Sequence, residues 1–212
     1  MSPTPYKYYI INKPFNMVSQ FISPDEVGLL GDLDFEFPEG IHAIGRLDNH
    51  SEGLLILTTN KRVTKLLFES KTPHERTYLV MVRHQMTQET LEILRTGVTI
   101  RVKGGVDYTT PPCDVQIVQK PDNFFEGAFK YRPEIPHTWL TITLTEGKFH
   151  QVRKMVFAVG HRCIRLIRIS IEDLLLGDLQ PGCVKEIEET EFFKLLKINN
   201  WQIPLSTHKS EL

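Results

Sequence analysis

The sequence predicts an α+β fold, in which helices flank a mixed and mainly antiparallel sheet. β-type runs and helical segments follow one another without the strict strand–helix–strand alternation that builds a parallel sheet. No internal repeat of the kind that builds a solenoid is present. Hydrophobic residues make up 41% of the 212 residues and charged residues 24%, which is typical of a folded globular chain. We therefore expect one domain over residues 1–212, with two lobes about a central cleft as an alternative arrangement.

The composition limits the classes of protein to which the chain can belong. The net charge is −1, so a nucleic-acid partner would have to bind a local basic surface. The three cysteines, Cys113, Cys163 and Cys183, are widely spaced and form no CxxC pair, so we expect neither a zinc site nor a disulfide framework. The first residues contain no signal-peptide core, and no apolar run reaches the length of a membrane span. These features predict a soluble cytoplasmic protein that uses no metal and does not contact a membrane.

The first elements of the chain are predicted from a β-type run and a polar loop. Tyr8–Ile11 is a short strand that stops before Pro14, because a proline cannot donate a hydrogen bond to a neighbouring strand. Residues 23–40 are polar and contain several prolines and glycines, which predicts a loop with one short helix.

The stretch Ile41–Asn60 is the one around which the chain is organised. Its first apolar run breaks at Gly45, a polar loop with Arg46 and Asp48 follows, and the dense apolar run Leu54–Leu57 ends it. A tight turn between two buried strands would hold the Asp48 carboxylate in one place, which suits a reacting group. The alternative is a hairpin with an ordinary surface aspartate.

Further elements follow from capping residues, hydrophobic periodicity and β-branched content. Predicted helices run from Asn60 to Glu69, from Thr87 to Arg95, from the motif EGKFHQVRKM to Gly160, and onward from Thr190. Predicted strands cover Thr77–Arg83, Val98–Val102, Cys113–Val118, Trp139–Leu144 and Cys163–Ile171. Gly97 is expected to be a left-handed helix C-cap, and the strands 98–102 and 113–118 are expected to be joined around Lys103-Gly104-Gly105 and a Pro111-Pro112 bend.

Residues 121–137 form a predicted loop that is rich in aromatic residues, namely Phe124, Phe125, Phe129 and Tyr131. Such a loop usually packs on its own side chains. Stacking of these rings on nucleic-acid bases is the alternative.

The segment Gly147–Ile171 carries many basic residues and no acidic residue. Its cationic and imidazole side chains are Lys148, His150, Arg153, Lys154, His161, Arg162, Arg165 and Arg168. A run of charge is often only a solvated face. On a nearly neutral protein it also predicts a local surface for phosphate groups, which position a nucleic acid without reading its sequence.

Three motifs resemble the pseudouridine synthases, and specifically their RsuA-like branch, which modifies ribosomal RNA. They are GRLDxxSEGLLxLTxN at residues 45–60, NKPFNMVSQF at residues 12–21 and HQVRKM at residues 150–155. The resemblance covers roughly Tyr8 to Ile187 and implies the pseudouridine synthase fold. Asn16 replaces the usual glycine of the second motif, and asparagine tolerates a positive φ. Because the likeness begins near residue 8, we expect no S4-type RNA-binding domain, as in the RluE-type enzymes that act on large-subunit RNA near the peptidyl-transferase region.

The resemblance implies both a reaction and the residues that perform it. Pseudouridine synthases break the N1–C1′ bond of a uridine, turn the base and rejoin it through C5, without a cofactor or a metal. Asp48 matches the essential aspartate, which either attacks C1′, adds to the base or removes a proton from C2′. Arg153 matches an arginine that pairs with this aspartate, Tyr78 a tyrosine that packs under the uracil and assists deprotonation at C5, and Arg46 an arginine that fills the gap left by a flipped nucleotide.

The remaining predicted contacts to RNA come from the basic segment and its neighbouring strand. They are His150, Lys154, Arg165 and Arg168, with Leu166 as an apolar wall against the base or as a core residue. Glu52 is not expected to act as a second acid of the glycosidase kind, because it belongs to the SEG element of the motif.

The sequence leaves two other functions open. A non-catalytic RNA-binding factor of ribosome assembly would keep the fold and the basic surface without depending on Asp48. A nucleoside or sugar glycosidase would need a second placed carboxylate. We expect ribosomal RNA as the partner and a monomeric protein, and the target nucleotide stays open.

Overall fold

The computed structural model describes residues 5–68, 72–121, 125–126, 134–199 and 201–202. Within them the strands are β1 (Tyr8–Lys13), β2 (His42–Ile44), β3 (Glu52–Thr58), β4 (Arg76–Arg83), β5 (Thr99–Arg101), β6 (Asp107–Thr109), β7 (Asp114–Val118), β8 (His137–Leu144), β9 (Cys163–Ile171), β10 (Leu174–Leu175) and β11 (Val184–Glu186). The α-helices are α1 (Arg62–Phe68), α2 (Gln88–Thr96), α3 (Gln151–Ala158) and α4 (Glu189–Leu195). Short 3₁₀ turns lie at Leu30–Asp32 and Lys103–Gly105.

The large sheet has the order β11-β1-β3-β9-β4-β8-β7, with β10 beside β9 and β2 beside β3. Only the contact of β3 with β9 is parallel, and every other strand pair described in this sheet is antiparallel. The predicted α+β fold with a mainly antiparallel sheet and flanking helices is therefore confirmed.

The sheet divides at strand β3. One edge of β3 pairs with β1 from Gly53 to Thr58. The other edge is shared, because β9 pairs with it only at Glu52 and Gly53, whereas β2 pairs with it at 56–58. The strands β3 and β9 therefore separate after two residues. The turn from β2 to β3 lies where the gap between these two strands begins.

The two faces of the sheet carry different cores, because alternate residues of a strand point to opposite faces. On one face, Leu79 and Met81 join a single cluster with helices α1 and α4. On the other face, Val80 and Val82 belong to a cluster with α2 and α3. A separate cluster on that second face gathers β1, β3 and the loop before β2. The half-buried ring of Tyr78 packs against both clusters of the second face and so marks the line between them.

Most predicted elements lie where the sequence places them, with shifts at their ends. Strand β1 continues to Lys13, because Asn12 and Lys13 still pair with Leu54 and Gly53. Thr87 caps α2 by accepting a hydrogen bond from the Thr90 amide, and the Asn60 side chain accepts from the Arg62 amide at the start of α1.

The region after α2 differs from the prediction. Strand β5 pairs with β6 in a separate two-stranded sheet, whereas β7 pairs with β8 at the edge of the large sheet. The predicted strands 98–102 and 113–118 are therefore not neighbours. Gly97 has a φ of 109° and a ψ of 143°, which lies outside the left-handed helical region that the prediction requires. A Cβ there would lie 2.2 Å from the Thr110 carbonyl oxygen, so close approach explains the glycine.

Several predicted features fall outside the described residues, namely the end of the first helix at Glu69 and the rings of Phe124, Phe129 and Tyr131. Phe125 is described, and its ring lies under the Arg165 guanidinium at 4.9 Å. Among the helices of the described ranges, none is both long and apolar enough to cross a bilayer.

Candidate active site

The turn between β2 and β3 holds Asp48 through its buried neighbours. Gly45, with a φ of 71°, turns the chain out of β2. Leu47 is buried, and the Ser19 hydroxyl both accepts a hydrogen bond from the Leu47 amide and donates one to its carbonyl, each at 2.9 Å. The Ser51 amide closes the turn on the Asp48 carbonyl oxygen at 2.9 Å. The aspartate backbone is therefore fixed on both sides.

Lys13 holds the same turn from beneath. Its side chain is fully buried, and Nζ donates to the carbonyl oxygens of Pro14 at 2.8 Å, Met17 at 2.6 Å and Asn49 at 3.4 Å. Burial lowers the pKa of Lys13 to about 7, and the nearby carboxylates of Glu52 and Asp48 oppose that shift. The three carbonyl oxygens match the three N–H groups of a protonated amine.

A cavity of about 660 Å³ opens beside the turn, within the range of pockets that bind small molecules or single nucleotides. The second face of the sheet is divided between two clusters, and both contribute to the cavity. One supplies Leu47, and the other supplies Leu144, Val152 and Leu166. Its polar lining includes Arg46, Asp48, Asn49, Ser51, Arg76, Tyr78, Glu146, Lys148, His150, Gln151 and Arg168. The predicted residues Asp48, Tyr78, Arg46, His150, Leu166 and Arg168 thus share one cavity.

Tyr78 and Leu166 enter the cavity from neighbouring strands. Tyr78 of β4 lies opposite Arg168 of β9, and Val80 lies opposite Leu166. The Leu166 side chain is buried in the cluster around α3 and also borders the cavity, so both of its predicted roles are compatible with its position. An aromatic ring and an aliphatic chain at this place form walls suited to a flat base.

Arg168 lies in the interior of the protein beside the cavity. Only 3% of the residue is exposed, and Nε donates to the Leu54 carbonyl oxygen at 2.8 Å. Its Nη2 is buried and has no hydrogen-bond partner among the described residues. Arg168 lines the cavity from the interior, and its expected contact with RNA stays a prediction. The buried Nη2 is a spare donor at the cavity, of the kind that binds a carboxylate or a ligand oxygen.

Arg153 does not pair with Asp48 as predicted. Its Nη2 donates to the His50 carbonyl oxygen at 2.7 Å and to the Ser51 hydroxyl at 3.3 Å, and within the described ranges it has no ion pair with the Asp48 carboxylate. Helix α3 places the guanidinium over the end of the turn, two and three residues beyond the aspartate. The predicted ion pair is not formed among the described residues, where Arg153 instead holds the turn that carries Asp48.

The imidazole of His150 lies beside the Asp48 carboxylate. Its Nε2 lies 3.4 Å from Asp48 Oδ1, with both side chains partly exposed. His150 precedes α3 with a φ of 56° and a ψ of 30°, a left-handed conformation that is uncommon outside glycine. Its ring stacks on that of Phe149 at 3.8 Å, and the phenyl ring is 66% exposed at the mouth of the cavity.

The basic segment divides into an exposed part and a buried part. Lys148 and Arg162 are exposed and Lys154 is partly exposed, as a phosphate-binding surface requires. Arg165 is 7% exposed, and its Nε and Nη2 bind the two oxygens of Glu52 at 2.8 and 2.9 Å. Glu52 of β3 therefore holds Arg165 in the interior, and the expected contact of Arg165 with RNA stays a prediction. The same bonds occupy both oxygens of Glu52, which does not line the cavity.

Sequence reasoning missed Lys13, Ser19 and Phe149. Alternation along β1 puts Lys13 on the same face as Tyr9 and Ile11, so the pattern could have indicated a buried lysine. No local pattern indicates Ser19, because its partner Leu47 is 28 residues away. Among the described residues, no group of three or more His, Cys, Asp or Glu side chains is placed to hold a metal ion.

A family model described as RNA pseudouridylate synthase matches residues 7–158 of the chain. A protein named ribosomal large subunit pseudouridine synthase E from Vibrio parahaemolyticus is 38% identical over 183 residues, which cover 86% of this chain and 74% of that protein. A protein of the same name from Xanthomonas axonopodis pv. citri is 33% identical, over 81% of this chain and 89% of that protein.

More distant relatives are also named pseudouridine or pseudouridylate synthases. A protein named ribosomal small subunit pseudouridine synthase A from Escherichia coli K12 is 27% identical over 87% of this chain and 72% of that protein. Among solved structures, a crystal structure of a pseudouridylate synthase superposes with a TM-score of 0.73 and 25% identity, over 92% of this chain and 76% of that one.

Proposed function

The chain belongs to the RNA pseudouridylate synthase family, and on that premise we propose that it converts a uridine of ribosomal RNA to pseudouridine with Asp48 as the reacting carboxylate. The observation that carries the proposal is the fixed turn, which presents Asp48 to a cavity walled by Tyr78 and Leu166. The names of the relatives support ribosomal RNA as the substrate.

The reaction is an isomerisation within one nucleotide. The N1–C1′ bond breaks, the uracil turns, a C5–C1′ bond forms, C5 loses its proton and N1 gains one. Atoms and electrons balance without an added group, so an ionised carboxylate close to the sugar and a proton acceptor near C5 suffice. Asp48 supplies the first. The Tyr78 hydroxyl is in the same cavity and is the candidate for the second.

The cavity favours this chemistry through the groups around the carboxylate. The spare Nη2 of Arg168 and the imidazole of His150 stabilise negative charge, the first from the buried floor and the second from 3.4 Å at the mouth. The turn is tied by Ser19 and Lys13, so the carboxylate loses little freedom when substrate binds.

The target uridine has to leave its base stack in order to reach Asp48. Extrusion of a base costs on the order of a few kcal/mol, and contacts outside the cavity offset this cost. Arg46 is exposed beside the carboxylate and fills the place of the extruded base. Lys148 and Lys154 hold the flanking phosphates.

The large ribosomal subunit is the proposed source of the RNA, because the relatives at 38% and 33% identity are named for it. The likeness to the RluE-type enzymes extends the proposal to RNA near the peptidyl-transferase region. The proposed working unit is a cytoplasmic monomer of one domain.

The test is release of the C5 hydrogen from unmodified ribosomal RNA that carries tritium at C5 of its uridines. The wild-type protein should release one equivalent per RNA, and Asp48→Asn should release none above background, because its side chain is close in shape but uncharged. Mapping of the modified position in the large-subunit RNA then names the target.

A second variant separates loss of chemistry from loss of structure. Asp178→Asn changes an exposed aspartate outside the cavity and should release hydrogen as the wild type does. Full release by Asp48→Asn would overturn the assignment of the carboxylate. Tight, salt-sensitive RNA binding without release by any variant would instead favour the RNA-binding assembly factor.

A further inference from the structure

We infer that the exposed ring of Phe149 is a stacking platform for the RNA base next to the target uridine. This inference rests on the proposed function and names a residue that positions its substrate. An exposed phenylalanine by itself needs no explanation, because many apolar side chains lie on protein surfaces. Four features of this one point to a bound base.

The first feature is its place. Phe149 is 66% exposed and lines the cavity that contains Asp48. Its ring stacks on that of His150 with centroids 3.8 Å apart and planes within 19°, and His150 in turn reaches the Asp48 carboxylate. Outward from the carboxylate, the first ring is therefore the polar imidazole of His150, and the second is the apolar phenyl ring of Phe149.

The second feature is the distance that these two rings span. The centroid of the His150 ring lies 3.8 Å from that of the Phe149 ring, and its Nε2 lies 3.4 Å from Asp48 Oδ1. A base stacked on the phenyl ring would lie roughly 4 to 5 Å from that ring. Such a base would be two ring contacts away from Asp48, so we assign it to the nucleotide next to the target and not to the reacting uracil.

The third feature is the rigidity of the turn that carries the ring. Gln151 is 4% exposed and connects both sides of the turn: its side-chain oxygen accepts from the Lys148 amide at 2.8 Å, and its Nε2 donates to Glu146 at 2.6 Å. The other oxygen of Glu146 accepts from the Tyr108 hydroxyl at 2.5 Å. An exposed ring on a fixed backbone stacks on a base with little loss of conformational freedom.

The fourth feature is the charge around the ring. The Lys154 ammonium lies over the Phe149 ring, 5.3 Å from its centre, and the Lys148 ammonium lies over the Tyr108 ring at 4.8 Å. A base that stacks on Phe149 would take the place of the Lys154 ammonium, which would then bind an adjacent phosphate. Alternation of aromatic rings and cations is how proteins hold single-stranded RNA without reading its sequence.

Phe157 offers a matched control. It is also an exposed phenylalanine, at 76%, and it lies on helix α3 of the same basic segment. It does not line the cavity. An effect of general surface hydrophobicity would be shared by both rings, whereas a stacking platform would be confined to Phe149.

The kinetic test compares Phe149→Ala, Phe149→Tyr and Phe157→Ala in release of the C5 hydrogen from unmodified ribosomal RNA. Removal of one stacking partner should raise KM for the RNA about ten- to a hundredfold in Phe149→Ala and leave kcat within about threefold. Phe149→Tyr keeps the flat ring and should restore KM. A KM for Phe149→Ala equal to that for Phe157→Ala would overturn the inference.

A fluorescence test reports stacking directly and needs no knowledge of the target. The probe is a single-stranded oligouridylate with one central 2-aminopurine, whose emission is quenched when the base stacks. The wild type, Asp48→Asn and Phe149→Tyr should quench it, and Phe149→Ala should not. Equal quenching by Phe149→Ala would contradict the inference. Quenching that depends on Phe149, in a protein that converts no uridine, would mean that the proposed function fails and the platform stands.

Discussion

At the scale of single residues, two arginines are candidates for the partner of the Asp48 carboxylate. Arg153 is bound to the backbone and to Ser51 at the end of the turn, whereas Arg168 has a free donor in the wall of the cavity. A guanidinium stabilises a carboxylate best where water is excluded, and Arg168 is the more buried of the two.

We therefore expect Arg168→Lys to lose more activity than Arg153→Lys. Both substitutions keep the charge and remove the planar fork. We expect the spare Nη2 of Arg168 to bind the Asp48 carboxylate during the reaction, and loss of such a charged hydrogen bond in Arg168→Lys is worth about 1.5 to 3 kcal/mol, or roughly ten- to 150-fold in kcat. Arg153→Lys should stay within about tenfold of the wild type. The measurement is kcat for C5 hydrogen release at saturating RNA, with folding checked by circular dichroism.

The reverse order of the two variants would restore the pairing of Arg153 with Asp48 that the sequence predicts. It would also require helix α3 to move its arginine from the His50 carbonyl to the carboxylate when RNA binds.

Lys13 makes the stability of the protein depend on pH. Burial lowers its pKa to about 7 in the folded protein, from about 10.4 in an unfolded chain. At pH values between these two pKa values, Lys13 binds more protons in the unfolded chain than in the folded protein. Its contribution to the free energy of unfolding therefore rises as pH increases. Below about pH 7 the lysine is charged in both states and its burial costs the full amount. Lys13→Met should remove this rising contribution.

The measurement is urea unfolding of the wild type and of Lys13→Met from about pH 6 to about pH 10. The difference between the two proteins isolates Lys13, because burial also raises the pKa values of Cys113 and Cys163 to about 11 and these thiols act in the opposite direction above about pH 9. Lys103→Met, at an exposed lysine, should keep the wild-type slope. A constant difference between wild type and Lys13→Met across this range would contradict the prediction.

The limits of the sequence are clearest in its basic residues. The segment from 147 to 171 reads as one positive surface, yet Lys154 is partly exposed and Arg165 and Arg168 are buried. Arg165 is held by Glu52, which is 113 residues away in the chain, and Arg168 by the Leu54 carbonyl, 114 residues away. A local pattern of charge does not contain these pairings. The position of Asp48 in the cavity, in contrast, could be predicted, because the whole motif around it resembles one family.

At the scale of elements, the short parallel contact of β3 with β9 depends on Gly53. Its φ is +100°, and a Cβ there would lie 2.3 Å from the Arg168 carbonyl oxygen. No side chain can be accommodated unless the strands part. Since β9 also carries Leu166 and Arg168, separation of the strands would displace one wall of the cavity.

Gly53→Ala should therefore destabilise the protein by about 3 kcal/mol or more and abolish activity. Gly177→Ala is the control, because Gly177 also has a positive φ, of +58°, but no atom within 4 Å of an added Cβ. It should cost only about 1 kcal/mol. Urea unfolding measures both variants, and similar losses would mean that the close approach of β9 is not what requires the glycine.

The elements themselves are largely predictable, and their pairing is less so. The strand predicted at 163–171 has the observed bounds, because its β-branched residues and the glycine before it are local signals. The hairpin of β5 with β6 was missed, since Asp107–Thr109 is too short and polar to show a strand pattern. Partners of strands depend on tertiary contacts, which lie outside any local window.

At the scale of the whole molecule, the net charge of −1 conceals an uneven distribution. Lys148 and Lys154 border the divided face of the sheet near the cavity, whereas helix α4 with Lys194 packs on the other face. Lys148 and Lys154 therefore place positive charge beside the cavity, which favours an approach of RNA from that side.

The salt dependence of RNA binding should report that distribution. Removal of a cation that binds one phosphate should reduce the slope of log K against log salt by about 0.7 to 0.9. We expect this reduction for Lys148→Gln and for Lys154→Gln, and no reduction for Lys194→Gln. Fluorescence anisotropy of labelled ribosomal RNA fragments over a salt series gives the slopes. A slope reduced equally in all three variants would argue against a localised surface.

The order of strands in the sheet also determines when the cavity can exist during synthesis of the protein. The Leu54 carbonyl binds the Arg168 side chain across 114 residues of sequence. At translation rates of about 5 to 20 residues per second, roughly 6 to 23 s pass between synthesis of β3 and synthesis of β9. The interval between β1 and its outer partner β11 is longer still. A nascent chain therefore displays Asp48 early but has no cavity around it, and the earliest strands to emerge are the ones most in need of protection from aggregation.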